Sequence, residues 1–346
     1  MKLLLTGATG FLGPSLIDAL LACVEVQELV LLVRRPVEVG DPRVRVVTNL
    51  SDALAERVTG IVHAAGDTRF DAPLEEARAA NVGLTIRLVD LAERMVNLDR
   101  FIFLSTAFVA GRRTGVIRER ELTHGAGFVN AYEQSKYETE HMLNARRGRL
   151  PIAICRLSTV VGDSRTGDVR RPRALHYALR FLYNSLAPLL PGSPESPVDL
   201  IATDYAAAAV AHFSTAGFTP GGVFHVVAGR DALALTDLLD LTMAQFVRER
   251  PSWRRRAIER PALADLATFE LFVRSLDELG DSPMRRAFAV IRYFAPQLAL
   301  PKHFDDSGSV EELVGAGIAR PRLTDFYPRV VAHLVRTNWA TSEGTA

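Results

Sequence analysis

The chain has 346 residues, of which 48% are hydrophobic and 23% charged, and its formal net charge is +1. This composition is typical of a globular protein. The small net charge gives no indication of nucleic-acid binding, and no apolar run reaches the roughly 18 residues that a membrane span needs. The two cysteines, Cys23 and Cys155, lie in apolar segments without metal-ligand spacing. We therefore expect buried thiols, no metal site and a cytoplasmic location.

The first stretch of the chain predicts a dinucleotide-binding loop. The apolar run Leu3 to Leu5 predicts a buried parallel strand, and the segment from Pro14 to Leu21 predicts a helix. Between them, Gly7, Gly10 and Gly13 are three residues apart. Glycines in this context allow the backbone to approach a pyrophosphate at the start of a helix. A secretory signal peptide is the alternative, but polar residues and glycines interrupt the apolar core that it would need.

Strands and helices alternate through the next two hundred or so residues, which favours a parallel sheet. Further strands are predicted at 28–33, 44–47, 59–66, 100–104, 150–157, 198–201 and 223–227, and helices at 51–58, 74–95, 173–190 and 205–214. The fold class is therefore α/β, a Rossmann-type doubly wound parallel sheet with a smaller, mostly helical C-terminal substrate-binding part. We expect an NADP-binding domain at 1–161, completed by 198–228, and a substrate-binding or lid region at 162–197 and 229–346.

The end of the second strand indicates which nicotinamide cofactor binds. In a dinucleotide fold this position meets the adenosine ribose, where an acidic residue binds the 2′-hydroxyl and arginine accommodates a 2′-phosphate. Arg34 and Arg35 lie there, and no Asp or Glu occurs between Leu29 and Val37. We therefore predict NADPH, with solvated loop charges as the alternative interpretation.

Tyr132 and Lys136 are four residues apart in a predicted helix, so they share one face. A nearby ammonium favours the phenolate, so we expect Lys136 to lower the pKa of Tyr132 and to make it a better proton donor or acceptor near neutral pH. The other lysines are Lys2 and Lys302, although the chain holds 41 Lys and Arg residues. Because the two cations are not interchangeable, lysine at position 136 favours a chemical role.

Ser105 and Thr106 end a predicted strand, and the site of an open parallel sheet lies at the carboxyl ends of its strands. We predict that Thr106 holds the reacting oxygen, with a strand-end cap as the alternative. Asn81, inside a predicted helix, is expected to be exposed or hydrogen-bonded locally. Residues 248–260 hold six Arg against two Glu, which indicates a solvated helix surface or, alternatively, a contact for an anionic substrate carrier.

Several motifs resemble those of known enzymes. The segment Thr6–Gly13, the triplet Ser105–Ala107 and the Tyr132/Lys136 pair resemble the extended short-chain dehydrogenase/reductase superfamily. Four shorter stretches resemble one branch of this superfamily, the thioester reductases and fatty acyl-CoA reductases ("male sterility"). They are Leu32–Arg34, His63–Phe70, Ala80–Val82 and Arg156–Gly167. The last third of the chain carries no such motif.

The resemblance implies roles for individual residues. Thr106, Tyr132 and Lys136 would be catalytic. NADPH would be bound by Gly7, Thr9, Gly10, Phe11, Leu12, Arg34, Asn49, Leu50, Ala64, Ala65, Gly66, Tyr132, Lys136, Thr159 and Val160. The substrate would be an acyl thioester on CoA or an acyl carrier protein, reduced to an aldehyde or alcohol, and fold analogy implies a homodimer through the Tyr132 helix. The chain departs from the family at Asn49, where Asp is frequent, and at Leu157, where Pro is usual.

Two other classes remain open. A hydroxysteroid-type dehydrogenase or a nucleotide-sugar epimerase/dehydratase would share the catalytic groups and the cofactor site, although Arg34 disfavours the many sugar enzymes that use NAD. A non-catalytic NADP-sensing regulator could keep the glycine-rich loop but lose the Tyr/Lys pair. This chain retains both features.

Overall fold

The computed structural model describes residues 1–252, 260–278 and 280–339. Their strands are β1 (Lys2–Thr6), β2 (Glu28–Leu32), β3 (Val44–Val47), β4 (Gly60–His63), β5 (Arg100–Thr106), β6 (Gly115–Ile117), β7 (Ile152–Leu157), β8 (Thr159–Gly162), β9 (Leu189–Pro191), β10 (Pro197–Val198), β11 (Leu200–Ala202), β12 (Val223–Val226), β13 (Leu233–Ala234), β14 (Ala262–Ala264) and β15 (Lys302–Phe304). Their α-helices are α1 (Gly13–Ala22), α2 (Asp52–Arg57), α3 (Leu74–Arg78), α4 (Leu84–Ala92), α5 (Ala131–Asn144), α6 (Ala174–Tyr183), α7 (Thr203–Ser214), α8 (Leu235–Glu249), α9 (Leu266–Glu278), α10 (Pro283–Ile291), α11 (Ser307–Gly315) and α12 (Leu323–Arg336).

Seven parallel strands form the central sheet in the order β12-β7-β5-β4-β1-β2-β3. This arrangement confirms the predicted doubly wound sheet. The strand order reverses between β1 and β4, which pair from Leu3 opposite Gly60 to Thr6 opposite His63. In such sheets ligands bind at this reversal, beyond the carboxyl ends of the strands. The fold therefore places the glycine-rich loop after β1 beside the segment that follows β4.

The sheet is covered on both faces, which explains the unbroken apolar run of β1. Leu3 and Leu5 join a hydrophobic cluster that includes residues of α1, α7, α8 and α12. Leu4 points into the opposite cluster, which includes residues of α2, α4 and α5. Successive side chains of a strand point to opposite faces, so a strand buried on both faces needs apolar residues at every position.

The C-terminal part of the described chain is mostly helical, as predicted. Helices α8 and α12 pack against each other and share the larger of the two clusters with the sheet. Helices α9 and α10 form a smaller cluster around Phe269 and Phe288. No helix in the described ranges is both long and apolar enough to cross a membrane.

Three predicted elements differ from the structure. The helix expected at 173–190 ends at Tyr183, and Leu189–Pro191 instead pairs with β14. Ser185 has a φ of 60°, which the right-handed helix does not allow, and Pro188 also disfavours helical backbone before it. The helix expected at 74–95 contains a π-helical segment at Ala79–Gly83. The strand at 223–227 is not the last, because β13, β14 and β15 follow in two-stranded pairings outside the main sheet.

Candidate active site

The glycine-rich loop packs directly against the backbone that follows β4. Gly7 has a φ of +81°, and a Cβ there would lie 2.6 Å from the carbonyl carbon of Ala64. A Cβ on Gly13 would lie 2.1 Å from the Ala8 oxygen. Only glycine fits either position, and no side chain caps the start of α1 at Leu12. Free N–H groups at a helix start, reached by closely approaching backbone, suit a pyrophosphate. The loop therefore fits a dinucleotide.

Two arginines that the sequence did not indicate lie at the same loop. The Arg171 guanidinium donates a hydrogen bond from Nη1 to the Thr9 carbonyl, at 2.7 Å. The Arg173 guanidinium carbon lies 5.9 Å from the centroid of the Phe11 ring. Both belong to the segment between β8 and α6, more than 150 residues away in sequence. They add positive charge where the pyrophosphate is predicted, and no local sequence signal sets this contact.

The predicted adenosine-binding residues lie at one edge of the sheet. β2 and β3 pair up to Leu32 opposite Val47, so the segments carrying Arg34 and Asn49 leave the sheet side by side. Both side chains are exposed, and within the described ranges Arg34 has no hydrogen-bond or ion-pair partner. Leu50 packs against the cluster that contains Leu4. The arrangement leaves Arg34 free for an external anion.

Tyr132 lies in the first turn of α5, beside Thr106 at the end of β5. The side chain of Asn130 caps this helix by accepting a hydrogen bond from the Glu133 N–H at 3.0 Å. Burial raises the pKa of Tyr132 to about 12, although its hydrogen bond with the Thr106 side chain acts in the opposite direction. The structure thus brings the two predicted hydroxyls together.

Lys136 lies one turn further along α5, and its Nζ donates a hydrogen bond to the Leu104 carbonyl at 2.7 Å. The ammonium also lies 4.2 Å from the centroid of the Phe103 ring. Burial lowers the pKa of Lys136 to about 7, with Glu140 opposing the change. Our expectation that Lys136 lowers the pKa of Tyr132 is wrong. Burial dominates, and the groups that oppose it are Thr106 and Arg173 rather than Lys136.

The neighbouring hydroxyls, Ser105 and Thr106, have different surroundings. Ser105 donates a 2.5 Å hydrogen bond to Glu140 Oε1, and Glu140 forms a buried ion pair with Arg156 at 2.8 Å. This network occupies the Ser105 hydroxyl inside the protein. Thr106 instead lies toward Tyr132, which supports the choice of Thr106 as the oxygen-holding residue.

Asn81, within the Ala80–Val82 stretch, has a buried side chain that bonds to distant parts of the chain. It is 1% exposed. Its side-chain oxygen accepts a hydrogen bond from the Asp67 N–H at 2.8 Å. Its side-chain nitrogen donates to the Asp67 carbonyl at 3.0 Å and to Ser135 Oγ at 2.8 Å. Ser135 in turn donates to the Tyr132 carbonyl at 2.9 Å. The expectation of an exposed or locally bonded side chain is therefore wrong. The π-helical segment around Asn81 is the structural sign of this position, because such segments are frequent at functional sites.

A cavity of about 200 Å³ lies between the sheet and the C-terminal helices. Its lining is mostly apolar and includes Phe70, Leu179, Leu182, Leu238, Phe294 and Leu298. The predicted nicotinamide neighbours Thr159 and Val160 also line it. The Phe70 ring centroid lies 5.7 Å from that of Tyr132, so the cavity wall reaches the predicted catalytic groups.

Two further predictions concern residues away from this cavity. Cys23 and Cys155 are free thiols, as expected, with Cys155 buried and Cys23 partly buried. Of the arginine-rich stretch at 248–260, residues 253–259 lie outside the described residues. The predicted contact for an anionic carrier in that stretch therefore stays a prediction.

A doubly wound parallel sheet carries a glycine-rich loop at its reversal point and the predicted Thr/Tyr/Lys group at its carboxyl edge. This is the arrangement expected for the extended short-chain dehydrogenase/reductase class. The chain matches the profile of the family described as "Male sterility protein" over residues 5–53 and 48–210, and it belongs to that family. The match confirms the resemblance to the branch of thioester and fatty acyl-CoA reductases.

Curated relatives include proteins named as synthases and as reductases. The chain is 28% identical over 262 residues to a component of the linear gramicidin synthase of Brevibacillus parabrevis, which covers 65% of this chain and 5% of that protein. It is 26% identical over 270 residues to a putative fatty acyl-CoA reductase of Drosophila melanogaster, covering 59% of this chain and 50% of the relative. The chain thus corresponds to no more than half the length of either relative.

Solved structures resemble nearly the whole chain. The terminal R domain from the myxalamid PKS-NRPS pathway has a TM-score of 0.79 at 22% identity, covering 99% of this chain and 92% of that one. A UDP-glucuronic acid 4-epimerase from Bacillus cereus, in complex with NAD, has a TM-score of 0.68 at 17% identity, covering 98% and 100%. At these identities the similarity shows the shared fold alone.

Proposed function

We propose that the protein is an NADPH-dependent reductase of acyl thioesters, carried on CoA or on an acyl carrier protein, and that the product is an aldehyde or an alcohol. The observation that carries the proposal is the mostly apolar cavity beside Tyr132. Such a lining suits an acyl chain, whereas a nucleotide sugar needs many polar partners. Relatives named as fatty acyl-CoA reductases and as a nonribosomal peptide synthetase support the same substrate class.

The residues present fit NADPH. The glycine-rich loop at 7–13, with Arg171 and Arg173 nearby, would hold the pyrophosphate, and Arg34 would bind the 2′-phosphate. Lys136 would hold the nicotinamide ribose, beside Thr159 and Val160. When bound, NADPH supplies the hydride that reduces the thioester carbon.

The catalytic groups would act on the carbonyl oxygen of the thioester. The hydroxyls of Thr106 and Tyr132 would donate hydrogen bonds to this oxygen and stabilise the negative charge that develops on it. A phenol with a pKa of about 12 stays protonated at neutral pH, so Tyr132 can supply the proton. Collapse of the resulting hemithioacetal would break the carbon–sulfur bond and release the thiol and the aldehyde.

We also infer that residues 1–161 and 198–228 bind the cofactor, while 162–197 and 229–346 form the substrate-binding or lid region. The cavity supports this division, because its lining comes from both parts. A homodimer through α5 remains part of the proposal, and light scattering of the purified protein tests it.

The proposal is tested with a panel of acyl-CoA and acyl-pantetheine thioesters of rising chain length. The loss of reduced-nicotinamide absorbance measures turnover. We expect turnover with thioesters, and Tyr132→Phe should lower kcat/KM by about 10²–10⁴-fold. Tyr137→Phe, on the same helix, is the matched control. Two NADPH consumed per thiol released would identify an alcohol product, and one would identify an aldehyde.

A wild-type enzyme that binds NADPH but reduces no thioester would contradict the proposal. Turnover of a hydroxysteroid or a sugar nucleotide under the same conditions would then support the alternative classes.

A further inference from the structure

Lys302 is a buried lysine in a chain that otherwise uses arginine for nearly all of its cations. It lies in β15 and is 5% exposed. Its Nζ donates hydrogen bonds to Gln297 Oε1 at 2.6 Å and to the Leu300 carbonyl at 3.2 Å. The third ammonium proton has no partner among the residues that the structure describes. Burying an ammonium is costly unless its charge and its protons are satisfied.

Lys302 is linked to Glu133 through a shared glutamine. Gln297 Nε2 donates to Glu133 Oε1 at 2.8 Å. Glu133 is 2% exposed and also accepts hydrogen bonds from the Val129 N–H at 3.0 Å and from Asn130 Nδ2 at 3.1 Å. Burial raises the pKa of Glu133 to about 7 and lowers that of Lys302 to about 8. Burial thus favours the neutral form of each group, and the opposite charge of its partner opposes that shift.

This network lies in the wall of the acyl cavity. Asn130, Glu133, Gln297 and Lys302 all line the cavity, in which most other lining residues are apolar. Glu133 directly follows Tyr132 in the first turn of α5. These four polar residues therefore lie in the part of the wall beside the helix turn that carries Tyr132. A fully saturated acyl chain would offer no acceptor to the remaining ammonium proton.

We propose that Lys302, held in place by Gln297 and Glu133, is a specificity-determining residue that donates a hydrogen bond to a neutral oxygen on the acyl chain near the thioester. Such an oxygen is a hydroxyl, a ketone or an amide carbonyl. The Glu133 carboxyl group already lies in this network, so a neutral acceptor fits the site better than a second carboxylate. The inference rests on the proposed thioester reductase function and narrows its substrate class. A site built to hydrogen-bond a substrate group discriminates against analogues that lack the group.

The test compares octanoyl, β-hydroxyoctanoyl and β-oxooctanoyl pantetheine thioesters, which share one chain length. The measured quantity is the kcat/KM of each oxygenated thioester divided by that of the octanoyl thioester. We expect this ratio to exceed one in the wild type and to fall by about tenfold in Lys302→Met, the size expected for one charge-assisted hydrogen bond. Lys2→Met, at the amino-terminal end of β1, is the matched control.

Selectivity is the informative readout, because a merely structural role of Lys302 would lower kcat/KM for all three thioesters together. An unchanged ratio in an active Lys302→Met variant would overturn the inference and leave the reductase function intact. If Lys302→Met does not fold, Lys302→Gln is the second variant. It keeps a polar group but removes the positive charge, so the ratio should still fall. If wild-type protein reduces none of the three, the reductase function fails and this inference falls with it.

Discussion

At the scale of single residues, burial changes the two groups of the Tyr132/Lys136 pair in opposite ways. It raises the pKa of the phenol to about 12 and lowers that of the ammonium to about 7, because in both cases the charged form is disfavoured away from water. The spacing of the pair places both side chains on one helix face but does not fix these values. In its ammonium form, Lys136 therefore destabilises the fold.

The first prediction concerns this destabilisation. The folded-state pKa of Lys136 is depressed from 10.5 to about 7, so the buried ammonium destabilises the fold fully below about pH 7. Between about pH 7 and pH 10.5 only the unfolded protein keeps the proton, so the destabilisation shrinks as pH rises and is gone near pH 10.5. Lys136→Met should therefore gain more unfolding free energy relative to wild type at about pH 6 than at about pH 10.

The difference between the two pH values should exceed about 1 kcal/mol, roughly the value of one pKa unit. Urea unfolding at both pH values measures it, with Lys2→Met as the control for loss of one lysine. An effect of Lys136→Met that is the same at both pH values would show that the buried amine is not destabilising.

The second prediction concerns Arg34 and the cofactor. Arg34→Gln should weaken NADPH binding by about 10–100-fold, because it removes a charge-assisted contact to the 2′-phosphate. NADH binding should change little. Titration of cofactor fluorescence measures both affinities, and Arg35→Gln is the matched control. An equal loss for both cofactors, or a larger effect at Arg35, would exclude Arg34 as the phosphate ligand.

At the scale of elements, the helical segment at 74–92 shows how a local irregularity serves the site. The π-helical residues Ala79–Gly83 place Asn81 between the backbone of Asp67 and the side chain of Ser135 on α5. The apolar pattern at 74–95 predicts a regular helix and gives no sign of this segment. The amide of Asn81 links the loop after β4 to α5, and so it joins the predicted cofactor loop to the predicted catalytic helix.

The third prediction tests this link. Asn81→Ala removes the partner of both backbone groups of Asp67 and one donor to the Ser135 hydroxyl, so we expect a loss of about 1–3 kcal/mol in unfolding free energy. NADPH binding should weaken in parallel, since the loop at 64–67 loses its attachment. Urea unfolding and cofactor titration provide the two measurements. Asn184→Ala, at an exposed helix end, is the control. A stability loss without any change in NADPH affinity would limit Asn81 to packing.

At the scale of the whole molecule, the sheet and the C-terminal helices share one core. The larger hydrophobic cluster contains Leu3 and Leu5 of β1 together with Phe326 and Val330 of α12. The predicted cofactor-binding and substrate-binding parts therefore share one hydrophobic core. The cavity is lined by residues of both parts.

The fourth prediction follows from this shared core. Phe326→Ala should lower the unfolding free energy by about 3–5 kcal/mol, the usual cost of truncating a buried phenylalanine. The variant should still unfold in a single transition that far-UV circular dichroism and bound-NADPH fluorescence report alike. Val314→Ala, at a residue that is 61% exposed, should change stability by less than about 0.5 kcal/mol. Two separate transitions would mean that the two parts fold independently.

The features that could be predicted from the amino-acid sequence are those that depend on residues close together in the chain. The β1 apolar run, the glycines at 7, 10 and 13 and the spacing of Tyr132 and Lys136 are short-range patterns, and each predicts one element or one shared face. From these the parallel sheet, its dinucleotide loop and the grouping of Thr106 with Tyr132 could be foreseen. The family resemblance supplied the finer positions along the same stretch.

Which distant residues meet, and how deeply they are buried, depends on the tertiary structure. Arg171 reaches the loop at Thr9, and Gln297 joins Glu133 to Lys302, across more than 150 residues of intervening chain in each case. No spacing rule covers such contacts, because they depend on how whole layers pack. Burial is likewise a property of the assembled core, and for that reason the sign of the Tyr132 pKa shift could not be read from its neighbours in sequence.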